Sequence, residues 1–137
     1  QVQGLSGVEA IAASDNISCA LKSDGTVWAW GNAEENAFSQ GSEAGFVNYT
    51  NTPWQIPGVE SATAIAAGDG VILILLEDGS LVVTGHNYDD LTTDTHFTDL
   101  YPGPYPLDSF AEITVEKIYG GGTGFIVIDD EGNAYSW

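Results

Sequence analysis

The stretch that decides the fold is Leu21-Lys22-Ser23-Asp24-Gly25-Thr26-Val27-Trp28-Ala29-Trp30-Gly31. Asp24-Gly25 stands between two short runs of apolar and aromatic residues of the kind that favour strands. Glycine readily takes the positive φ of a tight turn, and Asp tolerates the position before it. The stretch therefore predicts a β-hairpin.

The hairpin pattern occurs three times, about 54 residues apart. The later copies read Leu73-Ile74-Leu75-Leu76-Glu77-Asp78-Gly79-Ser80-Leu81-Val82-Val83-Thr84-Gly85 and Phe125-Ile126-Val127-Ile128-Asp129-Asp130-Glu131-Gly132-Asn133-Ala134-Tyr135-Ser136-Trp137. A related segment precedes each copy, at 10–15, 64–69 and 117–121. We expect a single repeat region over 1–137, with units at 8–58, 59–113 and 114–137, the third incomplete. Units of this kind bury their faces against their neighbours.

The central apolar run of the second unit has no polar face. Residues 71–76 are apolar without alternation, which predicts a strand covered on both faces by stacked sheets. No segment shows a sustained helical period, so the chain is predicted to be all-β. The connectors at 32–58 and 86–113 close with proline-bracketed extended segments, predicted to be edge strands leading into the next unit.

The repeated stretch resembles the repeat of the regulator of chromosome condensation (RCC1) family. The resemblance spans 8–137 and implies four-stranded antiparallel blades, seven of which close a β-propeller in that family. The family usually places Gly, and three residues later His, before the second strand. In this sequence the two positions hold Ser14 and Ile17 in the first unit, Gly68 and Val71 in the second, and Gly121 and Gly124 in the third. The sequence therefore looks like a divergent bacterial-style or secreted member.

Seven units of about 54 residues need roughly 375 residues, and the sequence has 137. This difference predicts a partial propeller or an open array of blades. An uncovered apolar blade end tends to pair with another strand. The sequence has no initiator Met and is expected to be a piece of something longer. We expect the open blade ends to pair with neighbouring copies or with the rest of that chain.

The charge of the chain excludes several classes of partner. Twenty acidic residues and only two basic ones, Lys22 and Lys117, give a net charge of −18. Nucleic acid binding needs clustered Lys and Arg, so no nucleic-acid partner is expected. The longest apolar run has six residues, too few to span a bilayer, so no membrane insertion is expected. The single cysteine, Cys19, lies in an apolar strand pattern and is expected to be a buried small hydrophobe.

The densest set of titratable groups lies in the second connector, at Asp89, Asp90, Asp94, His96 and Asp99. Oxygen ligands of this kind suit Ca²⁺, and paired carboxylates suit glycoside cleavage. Their spacing matches neither an EF-hand loop nor a known catalytic motif. We therefore predict no catalytic residue, no metal site and no cofactor, and we do not expect an enzyme. A calcium- or carbohydrate-binding module that uses this connector remains an alternative.

Aromatic residues divide into two groups. Trp28 and Trp30 lie inside the repeat and are expected to pack within the blades. Loop aromatics beside Asp and Asn suit protein or glycan recognition. The predicted interaction residues are Phe46, Tyr49, Trp54, Tyr88, Asp89, Asp90, His96, Phe97, Tyr101 and Tyr105. Asn48 and Asn16 match the N-glycosylation pattern.

These observations favour a non-catalytic protein-interaction or structural module, extracellular or at the cell surface, that binds a protein partner or itself. The resemblance implies a second function, a regulatory binder of the GTPase-exchange or enzyme-inhibitor type.

Overall fold

The structure, a computed structural model, describes residues 1–14, 16–32, 49–68, 70–85, 104–122 and 124–136. The elements within these ranges are the strands β1 (Val8–Ser14), β2 (Ile17–Lys22), β3 (Val27–Asn32), β4 (Tyr49–Gln55), β5 (Ala62–Gly68), β6 (Val71–Leu76), β7 (Leu81–Gly85), β8 (Tyr105–Pro106), β9 (Val115–Gly121), β10 (Gly124–Asp129) and β11 (Ala134–Ser136), with one 3₁₀ turn at Asp108–Phe110. The predicted all-β class is confirmed. No helix in these ranges is long and apolar enough to cross a membrane.

The strands form three antiparallel sheets, which we call blades. Blade 1 has the order β1-β2-β3-β4, blade 2 the order β5-β6-β7-β8, and blade 3 the order β9-β10-β11. The four-stranded antiparallel blades implied by the family resemblance are confirmed in blades 1 and 2. The proline-bracketed segments supply β4 and β8, the outermost strands of these two blades.

The blades stack face to face, so that one apolar cluster lies between each pair. The cluster between blades 1 and 2 includes Cys19, Val27 and Ile74, and the cluster between blades 2 and 3 includes Leu73 and Val127. Successive residues of a strand point to opposite faces. The strand β6 is therefore buried on both faces, as the unbroken apolar run at 71–76 predicts.

The glycine of each hairpin turn also joins its blade to the next one. Gly25 has a φ of 76°, and its carbonyl accepts a hydrogen bond of 3.1 Å from the amide of Ala62, where β5 begins. Gly79 repeats this with a φ of 81° and a 3.1 Å bond from the amide of Val115. The hairpin glycine thus makes the turn and also anchors the first strand of the following blade.

Candidate functional site

The first strand of a blade presents alternate residues to the blade before it and the blade after it. Ile65 of β5 packs in the cluster shared with blade 1, and Ile118 of β9, at the equivalent position, is 8% exposed against blade 2. Ala66 of β5 faces the other way, into the cluster shared with blade 3. The repeat position of a residue therefore determines which neighbouring blade it contacts.

The blade 3 outer face, which is the side turned away from blade 2, carries apolar side chains in the open. Tyr119 on β9 and Ile126 on β10 lie opposite each other in the ladder. Tyr119 is 52% exposed and Ile126 is 47% exposed. Their repeat equivalents in blade 2, Ala66 and Leu73, are 5% and 0% exposed because blade 3 covers them. The two equivalents show that this position in a blade is normally an interface.

A depression of about 410 Å³ lies on the blade 3 outer face. Its lining consists of Tyr119, Gly120, Gly121, Gly124, Phe125, Ile126 and Ser136. Three of these are glycines, so backbone forms part of the surface and a partner can approach closely. The depression suits an apolar side chain from an opposing surface, and its described lining contains no arrangement of acid, base and nucleophile.

The blade 1 outer face, which is the side turned away from blade 2, is the second exposed surface of this kind. Ile11 is 77% exposed, although its equivalents Ile65 and Ile118 lie in interfaces. Across the sheet, Ile11 lies opposite Ala20, and Ala20 lies opposite Trp28. Trp28 is half-buried and donates from Nε1 to Thr26 Oγ1 at 3.1 Å. Each end of the stack thus carries an apolar surface whose repeat equivalents bind another blade.

Sequence reasoning missed Ile11, Tyr119 and Ile126 because it sought function in the connectors. One signal was available in the repeat itself. The position that holds Ala12 and Ala66 in the first two units holds Tyr119 in the third. A large residue in place of a small one indicates that the surface opposite it must differ.

The predicted interaction residues are only partly within the described ranges. Phe46, Asn48, Tyr88, Asp89, Asp90, His96, Phe97 and Tyr101 lie outside the described residues. On β4, Tyr49 is 64% exposed and Trp54 is 47% exposed. Tyr105 is half-buried at the edge of the cluster between blades 2 and 3. Asn16 is exposed, and its carbonyl accepts a 2.8 Å hydrogen bond from the amide of Asn32.

Cys19 is buried, as predicted. It is 1% exposed, and its thiol donates to the carbonyl of Ala12 at 3.5 Å. Burial raises the pKa of Cys19 to about 12, with a smaller opposing effect from the Ala12 hydrogen bond. The thiol is therefore protonated at neutral pH and is a poor nucleophile.

The part of the chain that the structure describes contains no group of three or more His, Cys, Asp or Glu side chains placed to hold a metal ion.

The hairpin turns hold their carboxylates in local hydrogen-bond networks. Asp24 accepts from Lys22 Nζ at 2.8 Å, and from the hydroxyl and amide of Thr26 at 2.6 and 3.1 Å. These bonds lower the pKa of Asp24 to about 2, and the bond from Lys22 has the largest effect. Asp78 accepts from the hydroxyl and amide of Ser80, and its pKa is also lowered. These hydrogen bonds stabilise the ionised form of each aspartate in the folded turn.

The third turn places its carboxylate at a different position. Asp129 occupies the repeat position of Lys22, and it is 3% exposed. It accepts from Asn133 Nδ2 at 3.0 Å, from the Asn133 amide at 2.7 Å and from Tyr135 Oη at 2.9 Å. The Asn133 side chain is the first cause of the lowered pKa of Asp129, and the bond to Asp129 raises the pKa of Tyr135. This network reinforces the β10–β11 hairpin.

We expect Asp24→Asn to lower the stability of the chain in a pH-dependent way. The pKa of Asp24 lies below its unfolded value of about 4, so its ionised form stabilises the fold above that pH. This stabilisation is lost as the pH falls towards 2, the folded pKa. The wild type should therefore exceed the variant in unfolding free energy near pH 6, and the gap should close near pH 2.

Urea denaturation at several pH values measures this gap. Glu9→Gln is the control, because it removes an equal charge from an exposed side chain on β1 and accounts for the change in net repulsion. A gap for Asp24→Asn that follows the Glu9→Gln gap at every pH would contradict the assigned role of the turn network.

Comparison with known proteins identifies the repeat. Residues 8–40 match the family model of the regulator of chromosome condensation (RCC1) repeat. Guanine nucleotide exchange factor SRM1 of Saccharomyces cerevisiae is 36% identical over 78 residues, which make up 56% of this chain and 16% of that protein.

Similarity to solved structures extends over nearly the whole chain. Human WBSCR16 superposes with a TM-score of 0.82 at 24% identity, over 100% of this chain and 34% of its own. Yeast RCC1 (Prp20), solved bound to Kap60, gives a TM-score of 0.68 at 27% identity, over 98% of this chain and 32% of its own. The chain thus spans about a third of the length of these structures, and it shares their blades.

Proposed function

This chain is an RCC1-like repeat protein, and we propose that it acts as a non-catalytic protein-interaction module whose two outer blade faces bind further blades of the same kind. The observation that carries the proposal is the matched exposure of equivalent residues. Leu73 is 0% exposed where a blade follows, and its equivalent Ile126 is 47% exposed on the blade 3 outer face. Burying such a side chain contributes about 1.5 to 3 kcal/mol.

The blade 1 outer face is the complementary half of such an interface. In the two interfaces that the structure shows, Ala12 and Ala66 meet the blades that carry Ile65 and Ile118. A further interface would bring the Tyr119 side of one stack against the Ile11 side of another. An interface of this kind is heterologous, so it joins units head to tail. The partner blade comes from a neighbouring copy or from the rest of a longer chain, and a second copy is the simplest probe.

The test uses complementation between two variants. Ile11→Asp and Ile126→Asp each place a charge in one outer face and leave the other face intact. Sedimentation velocity should show that the wild type associates further as its concentration rises and that either variant alone does not. A mixture of the two variants should recover one pairing, through the intact Ile126 of one and the intact Ile11 of the other.

Two outcomes of this test would contradict the proposal. The first is a wild type that stays monomeric into the range of several hundred micromolar, about the weakest affinity that an apolar interface of one blade should give. The second is a mixture that associates no more than the single variants. Urea denaturation of each variant checks that the loss comes from the face and not from unfolding.

A second candidate function is guanine-nucleotide exchange on a small GTPase. The observation that favours it is the 36% identity to an exchange factor over 78 residues. Stimulated release of a labelled nucleotide from a GTPase by this chain would establish this function, and no acceleration at stoichiometric concentration would dismiss it. An extracellular or cell-surface location, glycosylation at Asn48 or Asn16, and calcium or glycan binding by the second connector stay predictions.

A further inference from the structure

The outer rim of the interface between blades 1 and 2 presents an exposed tryptophan, Trp54. We propose that this rim, which we call the Trp54 rim and which also includes Val82 and Pro106, binds a partner protein through a segment that has an aromatic residue between basic ones. Both blades lie within the chain, so this surface is distinct from the two outer blade faces. The proposal therefore stands independently of the function proposed above.

The strand register shows that the side chains of the Trp54 rim point into one interface. Trp54 lies opposite Ala29, which is fully buried in the cluster between blades 1 and 2. Directly opposed residues of an antiparallel pair share one face of the sheet, so Trp54 faces blade 2. In blade 2, Val82 packs against the same cluster, and Pro106 lies opposite Val82. Both of these residues therefore face blade 1.

The interface between blades 2 and 3 shows what occupies the equivalent rim. Tyr105 has the repeat position of Trp54, and Tyr135 has that of Val82. Phe110, from the 3₁₀ turn, packs against the cluster of this interface, and its ring meets that of Tyr135 edge to face with the centroids 6.1 Å apart. Tyr105 packs against the same cluster and is half-buried. An aromatic ring supplied by a separate segment is thus part of this interface.

The connector between blades 1 and 2 is too short to supply such a ring. It runs over 57–61, whereas the equivalent connector runs over 108–114 and is two residues longer. The longer connector contributes two side chains to its cluster, Phe110 among them, and the shorter one contributes one, that of Val59. Trp54 is consequently 47% exposed. Its exposure follows from a difference between two complete connectors, and the missing element is an aromatic side chain.

Exposed carboxylates lie along the chain next to the Trp54 rim. The connector that follows Trp54 carries Glu60, and the hairpin of blade 2 carries Glu77 and Asp78. The amide of Glu77 donates to the carbonyl of Ser61 at 2.9 Å, so this hairpin lies against the connector. All three carboxylate residues are exposed. The surface beside the rim is therefore negatively charged.

Neither lysine of the chain neutralises these three carboxylates. Lys22 pairs with Asp24 at 2.8 Å, and Lys117 pairs with Glu116 at 3.6 Å. The carboxylates beside the Trp54 rim therefore have no lysine partner within the described residues. A partner segment with Lys or Arg beside its aromatic residue would supply the complementary charge, and an acidic segment would be repelled. Tryptophan also makes favourable contacts with both aromatic rings and cations.

The test uses the whole 137-residue chain and a labelled peptide Leu-Lys-Ser-Phe-Lys, which copies residues 107–111 with lysine in place of Asp108 and Ala111. Fluorescence anisotropy should show saturable binding, and NMR should show that the peptide moves the indole signal of Trp54. Trp54→Ala should lower the affinity about threefold to tenfold, the contribution of one aromatic pair. A peptide with alanine in place of phenylalanine should lose a similar factor, and so should one with glutamate in place of both lysines.

Tyr49→Ala is the matched control for Trp54→Ala. Tyr49 is an aromatic residue at the start of the same strand and is 64% exposed, so its loss should leave the affinity unchanged. Ile126→Asp should also bind the peptide like the wild type, because Ile126 lies on the blade 3 outer face. Failure of the head-to-tail association test would therefore leave this proposal standing.

Three outcomes would overturn the proposal. Equal affinity of Trp54→Ala and the wild type would mean that the acidic surface alone holds the peptide. Equal affinity of the glutamate peptide and the lysine peptide would remove the basis for a basic partner. The absence of saturable binding, the result expected if another segment of this chain already covers Trp54, would exclude the rim as a docking surface.

Discussion

Replacing Gly31 by alanine is expected to lower the free energy of unfolding by about 3 to 5 kcal/mol. Gly31 ends the repeated stretch with a φ of 121°, in a region that side chains rarely adopt. A Cβ atom there would lie within 3.0 Å of the carbonyl oxygen of Asn16, and real Cβ atoms essentially never come so close. That same carbonyl accepts the amide of Asn32 at 2.8 Å, so moving it away would break a hydrogen bond.

Gly58→Ala is the matched control for Gly31→Ala. Gly58 has a φ of 77°, and a Cβ built there meets nothing within 4 Å. Its substitution therefore adds the cost of a left-handed backbone, about 1 to 2 kcal/mol, without a collision. Urea denaturation followed by tryptophan fluorescence measures both losses. Equal losses for the two variants would mean that the close approach at Gly31 has no energetic consequence.

The second large effect is expected for Leu73→Ala, with a loss of about 2 to 5 kcal/mol. Leu73 is 0% exposed and lies in the cluster between blades 2 and 3. Its truncation removes apolar contacts from both blades and leaves a cavity, because two packed sheets cannot collapse around the missing atoms. Calorimetry or urea denaturation at low protein concentration measures the loss.

Ile126→Ala tests the same repeat position on the blade 3 outer face. Ile126 is 47% exposed, so we expect a loss of less than about 1 kcal/mol in the dilute chain. The comparison isolates the contribution of the covering blade, since the two residues occupy equivalent places in their own sheets. Similar losses at both positions would show that the stability of a blade comes from within it and not from its neighbours.

Most of the local structure was predictable from the sequence. The strands of each repeat and the turns at Gly25, Gly79 and Gly132 follow from apolar runs around a glycine. The burial of β6 follows from its lack of a polar face. Such features depend on short-range backbone preference and on the period of side chains along a strand, and both can be read from consecutive residues.

The candidate site was much less predictable. Tyr119 and Ile126 belong to apolar strands that look like core in the sequence, and the structure exposes them because no blade covers that side within the described residues. The turn of blade 3 likewise looks like the other two, yet its hydrogen-bonded carboxylate is the buried Asp129, whereas blades 1 and 2 use the exposed aspartate directly before the glycine. Such differences arise from which sheet lies against which, a non-local property.

The sequence by itself determined the repeat, its hairpins and the glycines that its turns require, because each of these depends on residues close together in the chain. The tertiary structure alone decided which copy of a repeated position is covered. Cys19, Leu73 and Ile126 occupy the same position in three successive units. They differ in exposure because a neighbouring blade covers the first two, whereas no blade within the described residues covers the third. Burial depends on contacts between sheets, and a pattern that repeats in every unit does not show which units lie at the outer faces of the stack.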